Sequence, residues 1–272
     1  KKRYHKLLIY IYKIIMSSQK QLALIIGGGP GVSSACCKEF ANAGFDVAVA
    51  ARTPDKNVLK WLQSEVPALK RYKCDAGVEK DVENLFQSIH NDFGRRADVV
   101  IHNIDGRTGD IFRKKINEAD AELVKKTLMN SVFSAFLVGK ASAKFMLDTD
   151  SAAINSDFHR GTIIFTNASA AYKGFPLSGA FAASCAGKRG LAESMARELG
   201  PKGIHVAHVP IDGAIGWTQR DGTTRKHMRA GTAKNENMID PEHVAILYRQ
   251  LHEQHPSTWT FESVVRPWVE KW

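Results

Sequence analysis

Three stretches carry residues whose type and spacing could do chemistry. The first is "IIGGGPGVSSA", running from Ile25 to Ala35. Gly27, Gly29 and Gly31 leave the backbone bare enough for a pyrophosphate to approach closely. A helix opening at Val32 would aim free N–H groups and a positive dipole end at that charge. The second is "AVAARTP", Ala48 to Pro54. An acid at the end of such a strand would accept a hydrogen bond from a ribose 2′-hydroxyl. Arg52 and Thr53 suit a 2′-phosphate instead, which favours NADP over NAD. The plainer alternatives are a structural glycine turn and a solvated arginine. The third is "GAFAASCAGKRGL", Gly179 to Leu191, with the small residues and spacing of a helix that lines a site. Cys185 there is a thiolate only if nearby charges lower its pKa, and otherwise a small buried residue. Lys188 shares the Phe181 face, because seven residues make nearly two helical turns; it reads as a surface or interface charge.

Elements that would position these residues follow from periodicity. Apolar or alternating runs at 22–26, 46–52, 69–75, 97–103, 161–167, 204–210 and 258–264 read as strands. Helical spacing is found at 32–44, 55–66, 80–93, near 117–147, 178–199 and 240–254. Val82, Leu85, Phe86 and Ile89 form one apolar face of the third of these helices. Strands alternating with helices of this length imply an α/β chain whose parallel sheet is covered on both faces. The glycine turn then lies at the first strand-to-helix junction, the context that turns a weak motif into a strong one. No repeat, low-complexity linker or second domain interrupts residues 21–272, which read as one domain.

Bulk properties narrow the class. The chain has 272 residues and a formal charge of +10. Residues 1–20 hold Lys1, Lys2, Arg3, Lys6, Lys13 and Lys20 without an acid, so about +4 remains for the rest. That distribution, with no accompanying motif, argues against a nucleic-acid partner. No apolar run approaches the roughly 20 residues that span a bilayer. The segment "KKRYHKLLIYIYKIIM" is basic and apolar but broken by Lys13. It is expected to lie outside the fold, as upstream sequence before Met16 or a weak targeting tail. Cys36, Cys37, Cys74 and Cys185 make no metal-ligand spacing and read as reduced thiols in a cytoplasmic setting.

With these residues in place, the chain resembles the short-chain dehydrogenase/reductases over residues 21–272. The glycine turn appears as "IGGGPGVS", with Ser33 replacing the last glycine of the family pattern. Asp75, followed by Ala76 in "YKCDAG", matches the acid that holds adenine; "HNID" keeps Asn103 of the motif after the fourth strand. "ESMARELGPKGIHVAHV" resembles the end of the family's active-site helix and its sixth strand, and "WTFESVVRPWVEKW" resembles a mainly bacterial subgroup. The resemblance implies a Rossmann-type, doubly wound parallel sheet of about seven strands, hydride transfer with a nicotinamide, and a homodimer or homotetramer. It also implies that Ile215 and Thr218 approach the nicotinamide carboxamide.

The family's catalytic set is a Tyr, a Lys one turn later, a Ser and an Asn. Aligned without gaps, Phe181 stands for Tyr, Cys185 for Lys, Ala168 for Ser and Ser131 for Asn. Ser169 and Asn130 are each one residue away, so a local shift would restore two roles. Phe181 has no proton to transfer. Lys188 lies a turn too far on to stand in comfortably for the missing lysine. Tyr172, Ser184, His102 and Asp212 are further candidates near the pocket, whereas His205 and His208 read as satisfied sheet residues. Two readings follow: an NADP-dependent oxidoreductase with altered catalytic residues, acting on a carbonyl or alcohol, or a non-catalytic NADP-binding sensor or scaffold.

Overall fold

The computed structural model describes residues 20–109, 111, 113–148, 159–216 and 238–270. The basic N-terminal segment and Thr218 lie outside these. Strands β1 (Leu22–Ile26), β2 (Asp46–Ala51), β3 (Lys70–Lys73), β4 (Val99–His102), β5 (Gly161–Ala168) and β6 (Ile204–Ile211) form one sheet in the order β3-β2-β1-β4-β5-β6. Every pairing is parallel. The order reverses between β1 and β4, which opens a crevice at the C-terminal ends of those strands. A short parallel pair, β7 (Ala214–Ile215) and β8 (Met238–Ile239), stands apart.

Helices cover both faces. They are α1 (Val32–Asn42), α2 (Asn57–Glu65), α3 (Glu79–Phe93), α4 (Ala121–Leu128), α5 (Ser134–Leu147), α6 (Gly179–Leu199) and α7 (Pro241–Glu253). Three of the boundaries have a clear local cause. Asp120 caps α4 by accepting from the Leu123 N–H at 2.8 Å. Asp240 accepts from the Glu242 N–H, with Pro241 opening α7. Gly94 ends α3 in the left-handed region at φ 64°. Val82, Leu85, Phe86 and Ile89 are buried, as their spacing predicts. One core layer lies between the sheet and α1, α2 and α7; another lies between the sheet and α3, α5 and α6.

Two expectations need correction. The helix expected near 117–147 is present from residue 121 to 147 but is not a regular α-helix: α4 passes through a π-helical turn, Met129–Phe133, into α5. The seventh strand expected at 258–264 is reduced to two bridges, His208–Glu262 and Ile211–Val265, so the continuous sheet has six strands. Pro210 is the reason. His208 N–H donates to Phe261 O, Ser263 N–H to His208 O, Val265 N–H to Pro210 O and Asp212 N–H to Val265 O. The bond missing from that parallel ladder is the one residue 210 would donate, and proline has no N–H.

Candidate active site

Two adjoining cavities occupy the crevice at the C-terminal edge of the sheet. The larger, about 450 Å³, is lined by the glycine turn, the ends of β2 and β3, and the loop after β4. Gly27 adopts φ +101°, and a Cβ there would collide with the Asn103 carbonyl, so both conformation and space demand glycine. At Gly29 a Cβ would meet nothing closer than 3.9 Å; that stretch of backbone faces open space. Ser33 locks the turn by donating to Gly27 O at 2.8 Å while accepting from Asn103 Nδ2 at 2.6 Å. The serine that departs from the glycine pattern is therefore part of the turn's own bracing. The N-terminus of α1 has no side-chain cap, which leaves its first N–H groups for another acceptor.

At the far end of this cavity lie Arg52, Thr53 and Lys56. Lys56 Nζ donates to Gly28 O and so ties the start of α2 to the glycine turn. Its pKa is lowered by burial and by the nearby Arg52 cation. Arg71 braces the connecting loop through Pro54 O at 2.8 Å and Gln63 Oε1 at 2.7 Å. Asp75 and Ala76 line the same cavity, and Asp75 Oδ1 accepts from the Gly77 N–H.

The smaller cavity, about 320 Å³, continues past Pro30, Asn103, Ile104, Asp105 and Arg107 to Thr166, Asn167, Ala168, Phe181, Cys185, Lys188 and Ile215. Phe181 and Cys185 both line it, as the alignment implied. No phenol lines it among the described residues. Burial raises the Cys185 pKa, despite the opposing effect of the Lys188 charge, so this residue is a thiol. The Arg107 guanidinium sits 4.9 Å over the Phe181 ring and pairs with Asp105.

Several placements correct the sequence reading. Lys188 is not a surface charge: it is 1 % exposed. Its Nζ donates to Ile104 O at 2.8 Å and to Thr166 O at 3.3 Å. Those are carbonyls just beyond β4 and within β5, and α6 packs close enough for a long side chain to reach them. Ser169 does not enter the cavity, because its hydroxyl hydrogen-bonds Asp212, which also pairs with Lys173 at 3.0 Å. Ala168 lines the wall in its place. Asn130 faces the larger cavity rather than the Phe181 end. Tyr172 is 41 % exposed and engages Glu262 and Arg189 instead of the cavity wall; its pKa rises to about 12. His102 is buried against Ser134 Oγ at 2.9 Å, and Ser184 donates to Phe181 O, so neither faces the cleft. Val32 and Ile215 line the smaller cavity, and Gly31 lines neither but supplies the φ 81° turn before α1.

Asn167 is the wall residue that sequence gave no reason to choose. Its Nδ2 donates to Cys185 O at 2.8 Å and lies 2.8 Å from His208 Nε2, while its buried Oδ1 has no partner. An amide donating to Nε2 requires the His208 proton on Nδ1, which then goes to Glu262 Oε2 at 2.8 Å. His208 is thus neutral, its pKa pushed down to about 4 chiefly by burial. His205 is likewise held between Leu251 O and Thr260 O, as a sheet residue would be.

Comparison with known proteins agrees with this architecture. The family described as short chain dehydrogenase matches residues 21–227. A short-chain dehydrogenase/reductase of Armillaria gallica is 30% identical over 193 residues, which cover 70% of this chain and 69% of the relative. An L-2,3-butanediol dehydrogenase of Corynebacterium glutamicum is 27% identical over 213 residues, covering 76% and 77%. The crystal structure of a short-chain dehydrogenase from Rhodopseudomonas palustris superposes with a TM-score of 0.72 at 29% identity, covering 92% of this chain and all of that one.

Proposed function

The chain belongs to the short-chain dehydrogenase/reductase family, and from that premise we propose that it is an NADP-dependent oxidoreductase acting on a small carbonyl or alcohol, with an altered set of catalytic side chains. The observation that carries this reading is the cleft itself. A bare, glycine-lined turn with an uncapped helix N-terminus opens at one end onto two cations and at the other onto a pocket lined by both apolar and polar side chains.

The residues fit a dinucleotide. Gly27, Gly29 and the N-terminus of α1 would hold the pyrophosphate, with Gly31 setting the turn. Asp75 and Ala76 would flank the adenine. Arg52, Thr53 and Lys56 would take the 2′-phosphate, and Val32, Asn103 and Ile215 would border the nicotinamide. When bound, the nicotinamide supplies or accepts a hydride. The protein's own task is to orient the substrate carbon beside it, exclude water, and place a proton at the oxygen. Phe181 cannot place that proton, and the Cys185 thiol is held protonated.

Those two side chains favour the second reading, a sensor or scaffold that binds NADP without turnover. Titrating the protein with NADPH and NADH by nicotinamide fluorescence tests both readings. Tighter binding of NADPH is expected, and absence of binding by either nucleotide overturns both. Adding aldehydes, ketones and hydroxyketones to the NADPH complex then separates them, since only the first reading expects NADPH to be consumed.

A further inference from the structure

We propose that Lys188 is the proton donor to the substrate oxygen, and that it makes this cleft competent for carbonyl reduction without the tyrosine. The proposal rests on the oxidoreductase reading above. It starts from a geometric fact: the wall of the smaller cavity contains a buried amine that α6 delivers from the same face as Phe181.

An ammonium has three N–H donors. Two point at carbonyls, Ile104 O and Thr166 O, which fix the nitrogen from two sides. Among the described residues no other acceptor takes the third, and Lys188 lines the cavity. Among the described residues, four titratable neighbours act on this amine or respond to it. Cys185 lies one turn earlier on α6, Asp105 lies on the loop after β4, His102 on β4 and His208 on β6. Burial opposes the charge, whereas Asp105 supports it, and burial wins: the Lys188 pKa falls to about 8. The amine therefore enters a reaction at neutral pH as an acid, with a driving force for transfer that an ordinary lysine lacks. The two histidines facing it are held neutral, so they do not compete for its proton.

The step balances. One N–H bond of Lys188 breaks and its proton goes to the carbonyl oxygen. The carbonyl carbon takes the two electrons as hydride from the reduced nicotinamide. The neutral amine left behind regains a proton from solvent. In the reverse direction the neutral amine is the base that accepts the alcohol proton.

Three measurements on the full chain test this. The first needs no turnover: competitive acetylation across pH 6–11, resolved by peptide mass spectrometry, reads the titration of Lys188 directly. A midpoint near pH 8 is expected, and a midpoint in the ordinary lysine range overturns the proposal. The second is NADPH binding by K188M and K188R, expected within about threefold of the unmodified chain. The third is NADPH oxidation with acetoin, vicinal diketones and aldehydes. Its kcat/KM should be level at low pH and fall about tenfold per pH unit above pH 8. K188M and K188R should both lose about 100-fold or more, because methionine has no proton to give and an arginine guanidinium stays protonated at these pH values. K188R keeps the cation if K188M folds poorly. Turnover by both variants at the original rate overturns the proposal, as does a protein that binds NADPH but oxidises it with none of these carbonyls. Failure to bind NADPH at all instead overturns the reading on which the proposal rests.

Discussion

At the scale of single residues, Arg52 and Lys56 offer the sharpest test of the proposed NADP preference. Both stand at one end of the larger cavity, and burial together with mutual repulsion already lowers the Lys56 pKa. A 2′-phosphate placed between them would relieve that repulsion; a 2′-hydroxyl would not. R52A is expected to weaken NADPH binding about 10- to 100-fold while leaving NADH nearly unchanged, as read by calorimetric titration. Equal losses for both nucleotides would assign Arg52 to loop structure. The thiols give a second prediction. Cys36, Cys37, Cys74 and Cys185 are buried and free, and burial raises the pKa of each. A thiol-exchange reagent should modify none of them within minutes at pH 8 in the folded protein, and all four in urea. Rapid modification of Cys185 alone would contradict its description as an inert wall of the cleft.

At the scale of elements, the C-terminal segment is the informative case. Pro210 removes one ladder bond between β6 and the chain at 261–265. Side chains reinforce that edge: Glu262 accepts from His208 Nδ1 at 2.8 Å and from Arg189 Nε at 3.0 Å, joining the segment to β6 and α6 together. His205 adds a stacked contact with Trp259, ring centroids 5.0 Å apart. Glu262→Gln keeps the shape and loses the charge. It should cost about 1–3 kcal/mol of stability in urea denaturation, and tryptophan fluorescence should report the change because Trp259 lies on the same segment. An unchanged urea midpoint would show that backbone pairing alone secures this edge.

At the scale of the molecule, buried histidines set the response to acid. His159 and His208 have pKa values near 4, and His252 near 3, in each case chiefly through burial. The unfolded chain binds protons at these sites near pH 6.5, and the folded chain does not. Their contribution is therefore complete above pH 6.5 and is lost as pH falls from 6.5 towards 4. The Tm is expected to fall by on the order of 10 °C between pH 7 and pH 5. A scanning-calorimetry Tm that holds constant over this range would mean that the histidines are charged in the fold.

Local physics made much of this protein legible from its residues. The glycine turn, the alternation of strands with helices and the apolar face of α3 each depend on a few neighbouring side chains. So did the absence of a phenol at Phe181 and of an amine at Cys185, which are identities rather than conformations. The seventh strand was half legible: its alternating pattern was visible, but the cost of Pro210 depends on which strand it meets. Tertiary structure alone decided the fate of Lys188, Ser169, Tyr172 and Asn167. Helical spacing placed Lys188 on the Phe181 face but could not say that two strand-end carbonyls would wait there to hold its nitrogen. Asp212, some 40 residues further along the chain, took Ser169 away from the cleft. Periodicity states which way a side chain leaves its own element. Only the packing of elements distant in sequence determines whether it meets water, a partner or an open cavity.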